Sequence, residues 1–128
     1  MHCIFNLPEN LNVEFFEGDL FVTPPKLQNC FCEGRLHMHE KRVQAIKHSY
    51  TFESGVVMIH LMIRTYRCSC CKHQFTCDGQ LGVQKGTTQN FRQIAVDYAE
   101  ATSLQKAALK FSTPKSTIWH WQKQLSFQ

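Results

Sequence analysis

Seven cysteines stand in a chain of 128 residues, and most of them fall in two tight groups, Cys30-Phe31-Cys32 and Cys68-Ser69-Cys70-Cys71. Thiolate sulfur is the donor that tetrahedral zinc favours, and two ligand pairs, each on a tight turn, can close around one ion in a structural site. The run Tyr66-Arg67-Cys68-Ser69-Cys70-Cys71-Lys72-His73-Gln74-Phe75 has the form of a zinc knuckle, a C-x-x-C followed by a polar turn and an aromatic. Cys30, Cys32, Cys68 and Cys71 are therefore the expected ligands of one structural zinc ion. The first pair is C-x-C, one residue shorter than usual, so His37, His39, Cys70 and His73 stand as alternative donors. Cys3 and Cys77 read as small buried hydrophobes. An odd cysteine count, behind a start (Met1–Glu9) with no basic segment or long apolar run, argues against a disulfide framework.

Other cysteine chemistries fit less well. A C-x-x-C redox centre belongs at a helix N-terminus in a βαβ unit, and Cys68 follows a strand-like run. A zinc deaminase needs H-x-E followed by P-C-x-x-C, whereas here the order is His37-Met38-His39-Glu40 and Arg67 stands where the proline should be. No catalytic residues are assigned, and the chain is expected not to be an enzyme.

A second set of polar residues lies near the C-terminal end. Ser103 reads as the N-cap of a short helix with Leu104, Ala107, Ala108 and Phe111 on its buried face. After Ser112-Thr113, Pro114 suits the first turn of another helix, whose inner face is Ile118, Trp121 and Leu125. Its outer face presents Lys115, Ser116, Trp119, His120 and Lys123. Lysine and serine contact base edges and phosphates, and charged histidine donates to phosphate. Small Ala107 and Ala108 let two helices approach closely across a short turn, as a helix-turn-helix requires. The expected DNA contacts are Thr88, Gln89, Ser103, Lys106, Lys115, Ser116, Thr117, Trp119, His120 and Lys123.

The elements that must position these groups follow from hydrophobic period. Val13–Phe16 and Leu20–Thr23 are β-prone runs around Glu17-Gly18-Asp19, which reads as a hairpin closed by Pro24-Pro25. Val43–His48 and Val56–Tyr66 form a second β unit joined across Glu53-Ser54-Gly55. In its longer run Val57, Ile59, Leu61 and Ile63 share one face, with Met58, His60, Met62 and Arg64 on the other. Residues 79–88 carry glycines and threonines without an apolar period and read as a linker. Phe91, Ile94, Ala95 and Tyr98 recur at helical spacing, with Thr88 or Asn90 as cap. The expected fold is α+β: a β-rich zinc-ribbon-like lobe over 1–78, a linker over 79–88, and a three-helix helix-turn-helix lobe over 89–128.

Charge is uneven along this frame. Residues 1–29 hold one Lys or Arg against four acids, residues 30–80 seven against four, and residues 81–128 six against two, within a total of +4. The basic excess lies beside the motifs and suits a polyanion.

The order of these features resembles the N-terminal region of insertion-sequence transposases of the ISL-three family. The similarity is carried by Cys30-Phe31-Cys32, by Ile63–Phe75, whose Arg64, Arg67, Cys68 and Cys71 stand beside the family's R-x-x-C-x-x-C run, and by Ala107–Ile118. It implies zinc on Cys30, Cys32, Cys68 and Cys71, and a helix from Pro114 that recognises a duplex site such as a terminal inverted repeat. The family continues into an acidic catalytic domain, and the ten scattered acids here supply no carboxylate cluster for two-metal chemistry. A non-catalytic, sequence-specific binder of double-stranded DNA is expected, a regulator of transcription or transposition. It would be cytoplasmic and nucleoid-associated in a prokaryotic, phage or mobile-element setting, with a homodimer allowed and no membrane or small-molecule substrate. The competing expectation is a zinc-stabilised protein-interaction adaptor using Phe15, Phe16 and Phe21, and last comes single-stranded or RNA binding through aromatics of the β lobe.

Overall fold

The computed structural model describes residues 7–17 and 19–126. Five strands are followed by three helices, an α+β architecture: β1 (Asn12–Phe16), β2 (Asp19–Thr23), β3 (Leu36–His48), β4 (Val57–Cys68), β5 (Gln74–Cys77), α1 (Gln89–Ala101), α2 (Leu104–Lys110) and α3 (Lys115–Ser126). The sheet runs β1-β2-β4-β3, with β5 pairing on β4. β1 and β2 are the expected hairpin, antiparallel with Val13 opposite Val22; Gly18 of its loop, like Cys3, lies outside the described residues. β2 then pairs in parallel with β4, Leu20 opposite Ile59 and Val22 opposite Leu61, and this pairing joins the hairpin to the sheet.

Alternation holds where the sheet is covered on one side. Ile59, Leu61 and Ile63 are buried, as the period of two predicts. It fails toward the end of β4, where Arg64, Thr65 and Tyr66 are also buried. Arg64, expected to face outward, instead donates from Nη1 to the Pro24 carbonyl at 2.6 Å, and the Tyr66 hydroxyl accepts from the Leu27 N–H at 3.3 Å. The chain between β2 and β3 thus covers this end of β4. β3 begins at Leu36, seven residues before Val43. Its added half, His37 to Arg42, is exposed throughout and carries no apolar signal. β5, to which the sequence pattern assigns no element, is a strand, with Phe75 opposite Tyr66 and Cys77 opposite Arg64.

The chain divides into two compact units. One comprises Met1–Ala45 with Ile59–Leu81, the other Ile46–Met58 with Gly82–Gln128. The division is therefore not sequential at a linker: the connection between β3 and β4 belongs with the helices. Its Val56 packs on a core of Phe91, Ala95, Ala99, Ala107, Phe111 and Ile118. Phe111 is central there, meeting Phe91 and Tyr98 edge-on at 5.7 and 5.6 Å between ring centroids, a favoured aromatic geometry. Residues 79–88 are more ordered than a linker: Lys47 bridges Thr87, and Leu81, Thr87 and Thr88 are buried.

The helix boundaries follow their caps. Thr88 accepts from the Phe91 N–H at 3.1 Å and opens α1, and Ser103 accepts from the Lys106 N–H at 3.2 Å and opens α2. α2 closes through the bond from the Phe111 N–H to Ala107 O, and Ser112 turns the chain with φ 50°. The Pro114 carbonyl accepts from the N–H groups of Thr117 and Ile118, so the proline stands at the entrance of α3, where its own missing N–H costs nothing.

Candidate functional site

Two turns bring the cysteines together. At the first, the Cys30 N–H donates to Gly34 O and the Glu33 N–H to Cys30 O. At the second, the Cys68 N–H donates to His73 O and the Lys72 N–H to Cys68 O. Glu33 and Lys72 take the left-handed backbone, φ 69° and 63°, that lets each chain double back over its sulfurs. Leu36, Tyr66 and Cys68 form a small buried cluster beneath the turns, with Cys30, Phe75 and Cys77 packed against it. Cys77 thus packs as a small apolar residue at this cluster, half-buried.

The sulfurs of Cys30, Cys32, Cys68 and Cys71 lie within 4.8 Å of one another, a group that could hold a metal ion, and none of these cysteines is in a disulfide. Cys32 and Cys68 are 3.4 Å apart and Cys30 and Cys71 3.8 Å. A tetrahedral ion with sulfur ligands at about 2.3 Å sets its ligands about 3.8 Å apart, and the Cys30–Cys71 separation matches this within a group that spreads to at most 4.8 Å. The C-x-C pair reaches the site despite its short loop. His37, His39, Cys70 and His73 stay outside this group; His73 stacks on Phe75 instead.

The backbone prepares the site for anionic sulfur. The N–H groups of Cys70 and Cys71 both point at Cys68 Sγ, at 3.4 Å each. These donors, Cys71 foremost, outweigh burial and lower the Cys68 thiol to about 6. Cys71 goes the other way. A hydrogen bond from His73 lowers it, but the neighbouring sulfurs of Cys68, Cys32 and Cys30, together with burial, push it up to about 12. Cys68 and Cys71 are thus pushed in opposite directions, and a cation bound between them would favour the thiolate form of both.

Gly34 is a member of the site that sequence reasoning missed. A Cβ built there would stand 2.6 Å from Cys68 Sγ, 2.7 Å from Cys70 Cβ and 3.2 Å from Cys32 Sγ. The only hint in the sequence is its place two residues after Cys32.

The polar face of the helical unit is assembled separately. Lys115, Ser116, Trp119, His120 and Lys123 are all exposed on α3, opposite the buried Ile118 and the part-buried Trp121 and Leu125. Lys106 and Gln89 are exposed, Thr117 and Ser103 half-buried. Thr88 is a correction. Its hydroxyl caps α1 and lies 2.8 Å from Nδ1 of the buried His48, and at 1% exposure it has no surface for a ligand. Seven Lys and Arg residues face seven acids in the unit carrying the cysteines, and seven face three in the helical unit, so the whole net charge of +4 resides in the latter. No helix among the described residues is long and apolar enough to cross a membrane. Comparison with family models, with curated proteins and with solved structures yields no match for this chain.

Proposed function

We propose that this protein binds double-stranded DNA sequence-specifically through α3, and that a zinc ion on Cys30, Cys32, Cys68 and Cys71 stabilises its β-rich unit. The observation that carries the proposal is the α3 face itself, five exposed residues capable of groove and phosphate contact on a helix anchored from behind by Ile118 and Trp121. α2, the four-residue connection Phe111–Pro114 and α3 have the composition of a helix-turn-helix, with the second helix offered to the major groove. The unit's charge of +4 supports a polyanion partner. The resemblance to ISL-three-family transposases points the same way and would make the protein a non-catalytic regulator acting on a mobile element or its promoter.

Zinc is preferred for the metal because four thiolates on two knuckles form a closed, soft, tetrahedral donor set. Bound there, it supplies charge neutralisation and cross-links two distant turns. Gly34 keeps the backbone close enough, and the Cys70 and Cys71 amides hold the Cys68 sulfur as a thiolate.

Selection of duplexes from a random pool by zinc-loaded protein at low salt tests the function. Recovery of a consensus, lost in Lys115→Glu/Lys123→Glu protein that melts at an unchanged temperature, is expected; recovery of no duplex refutes it. One observation favours a second reading, a protein-interaction adaptor: Phe15, Phe16 and Phe21 of the N-terminal hairpin are exposed, at 56, 63 and 38%. In that case the double charge reversal leaves partner binding intact.

A further inference from the structure

We infer that Trp119 determines specificity on the α3 face by reading the C5-methyl group of thymine, so that the selected duplex carries thymine at a fixed position. The inference rests on the duplex-binding reading above and adds which base is read and by what contact.

Its starting point is an exception in the chemistry of the face. Lys115, Ser116, His120 and Lys123 are polar, and a large apolar ring stands among them, 42% exposed. Packing does not account for it. The indole used for packing is Trp121, which sits against the buried core and meets Phe91 edge-on at 6.1 Å. Trp119 belongs to no core cluster described for this unit.

The ring is also held. Lys123 Nζ lies 4.2 Å above its centroid, and the His120 ring stands edge-on at 5.2 Å. A side chain already oriented by its neighbours loses less freedom on binding than a mobile one. It is therefore a contact surface ready before the partner arrives.

What that surface can recognise follows from the partner. In the major groove the thymine C5-methyl is the one base-edge feature that is neither donor nor acceptor, and it is the feature that the apolar face of the indole, as distinct from its Nε1–H edge, can pack against. Lysines one turn to either side, Lys115 and Lys123, fit the phosphates that fix register while the ring carries the sequence information. Lys123 meanwhile keeps its cation against the indole, so the positive charge and the apolar surface arrive at the groove together.

The test removes the methyl and nothing else. Duplexes selected by the full zinc-loaded chain are resynthesised with deoxyuridine in place of each thymine in turn. We expect one or two substitutions to weaken binding about fourfold each, the effect of losing one buried methyl-sized group. Trp119→Ala should bind the selected duplex more weakly and be indifferent to uracil at those same positions. The uridine scan on unaltered protein needs no variant, so tolerance of uracil overturns the inference even if circular dichroism finds Trp119→Ala unfolded. A consensus without a fixed thymine, uracil tolerated throughout, or the same uracil penalty in folded Trp119→Ala overturns the inference while duplex binding stands. Retention of no duplex at all overturns the duplex-binding reading and this inference with it.

Discussion

Gly34 lacks a side chain where a sulfur occupies the space a side chain would need. With Cys68 Sγ 2.6 Å from the ideal Cβ position and Cys70 Cβ at 2.7 Å, a methyl group there forces one cysteine turn away from the other. Gly34→Ala should therefore weaken metal affinity at least as much as loss of a supporting contact, about 10–100-fold, read by competition against a chromogenic chelator. Retention of full affinity would show that the turns yield freely. Proton linkage gives a second expectation. Cys68, lowered to about 6 by the Cys71 and Cys70 amides, is largely ionised at pH 7, whereas Cys71, pushed to about 12, is not. Metal loading at pH 7 must then release protons, and each displaced proton weakens binding about tenfold per unit of acidification. Affinity should fall more steeply once the pH drops below about 6, where Cys68 is protonated too; titrations in buffers of different ionisation enthalpy measure the protons released, and a count of zero would contradict the assignment. The grouping of Cys30, Cys32, Cys68 and Cys71 was legible because tight cysteine pairs on turns are how such a cluster is written in a sequence. Gly34 was not, because its requirement arises from the approach of a turn more than thirty residues away.

At the scale of elements, Thr88 shows how a residue read as a contact becomes a joint. Its hydroxyl satisfies the Phe91 N–H at the start of α1 and meets Nδ1 of buried His48 at 2.8 Å, linking the helix start to the end of β3 within the helical unit. Thr88→Ala removes the cap, worth about 1 kcal/mol, and leaves a buried imidazole nitrogen without this bond, at about 1–3 kcal/mol more. Denaturant unfolding should show a loss of about 2–4 kcal/mol with Thr88→Ser close to wild type; an unchanged midpoint in Thr88→Ala would mean the pair contributes nothing. The three helices and their caps were readable from the sequence, since Phe91, Ala95 and Tyr98 repeat at helical spacing and Ser103 and Thr88 precede them. The N-terminal half of β3 and all of β5 were not. His37 to Arg42 is exposed on both faces and Gln74–Cys77 is only four residues long, so neither carries the apolar alternation by which a strand is recognised.

The whole molecule divides charge as well as structure. The cysteine-bearing unit is neutral overall and the helical unit carries the entire +4, a separation the linear sequence conceals because Ile46–Met58, the segment between the long strands, belongs with the helices. A sequential boundary at residues 79–88 was the natural expectation from glycine content; the burial of Leu81, Thr87 and Thr88 and the packing of Val56 on the helical core show why composition alone could not locate it. Because binding is assigned to the positive unit, it should be governed by counterion release. Four lysines of α2 and α3, Lys106, Lys110, Lys115 and Lys123, are exposed there. If each neutralises one phosphate, the logarithm of the association constant should fall with the logarithm of salt concentration at a slope of about −3 to −4. Fluorescence anisotropy of the selected duplex against zinc-loaded protein across a salt series measures this slope. The account predicts tight binding at low salt with that dependence, reduced by about two in the Lys115→Glu/Lys123→Glu protein if any binding survives; no association at low salt, or association indifferent to salt, would contradict it.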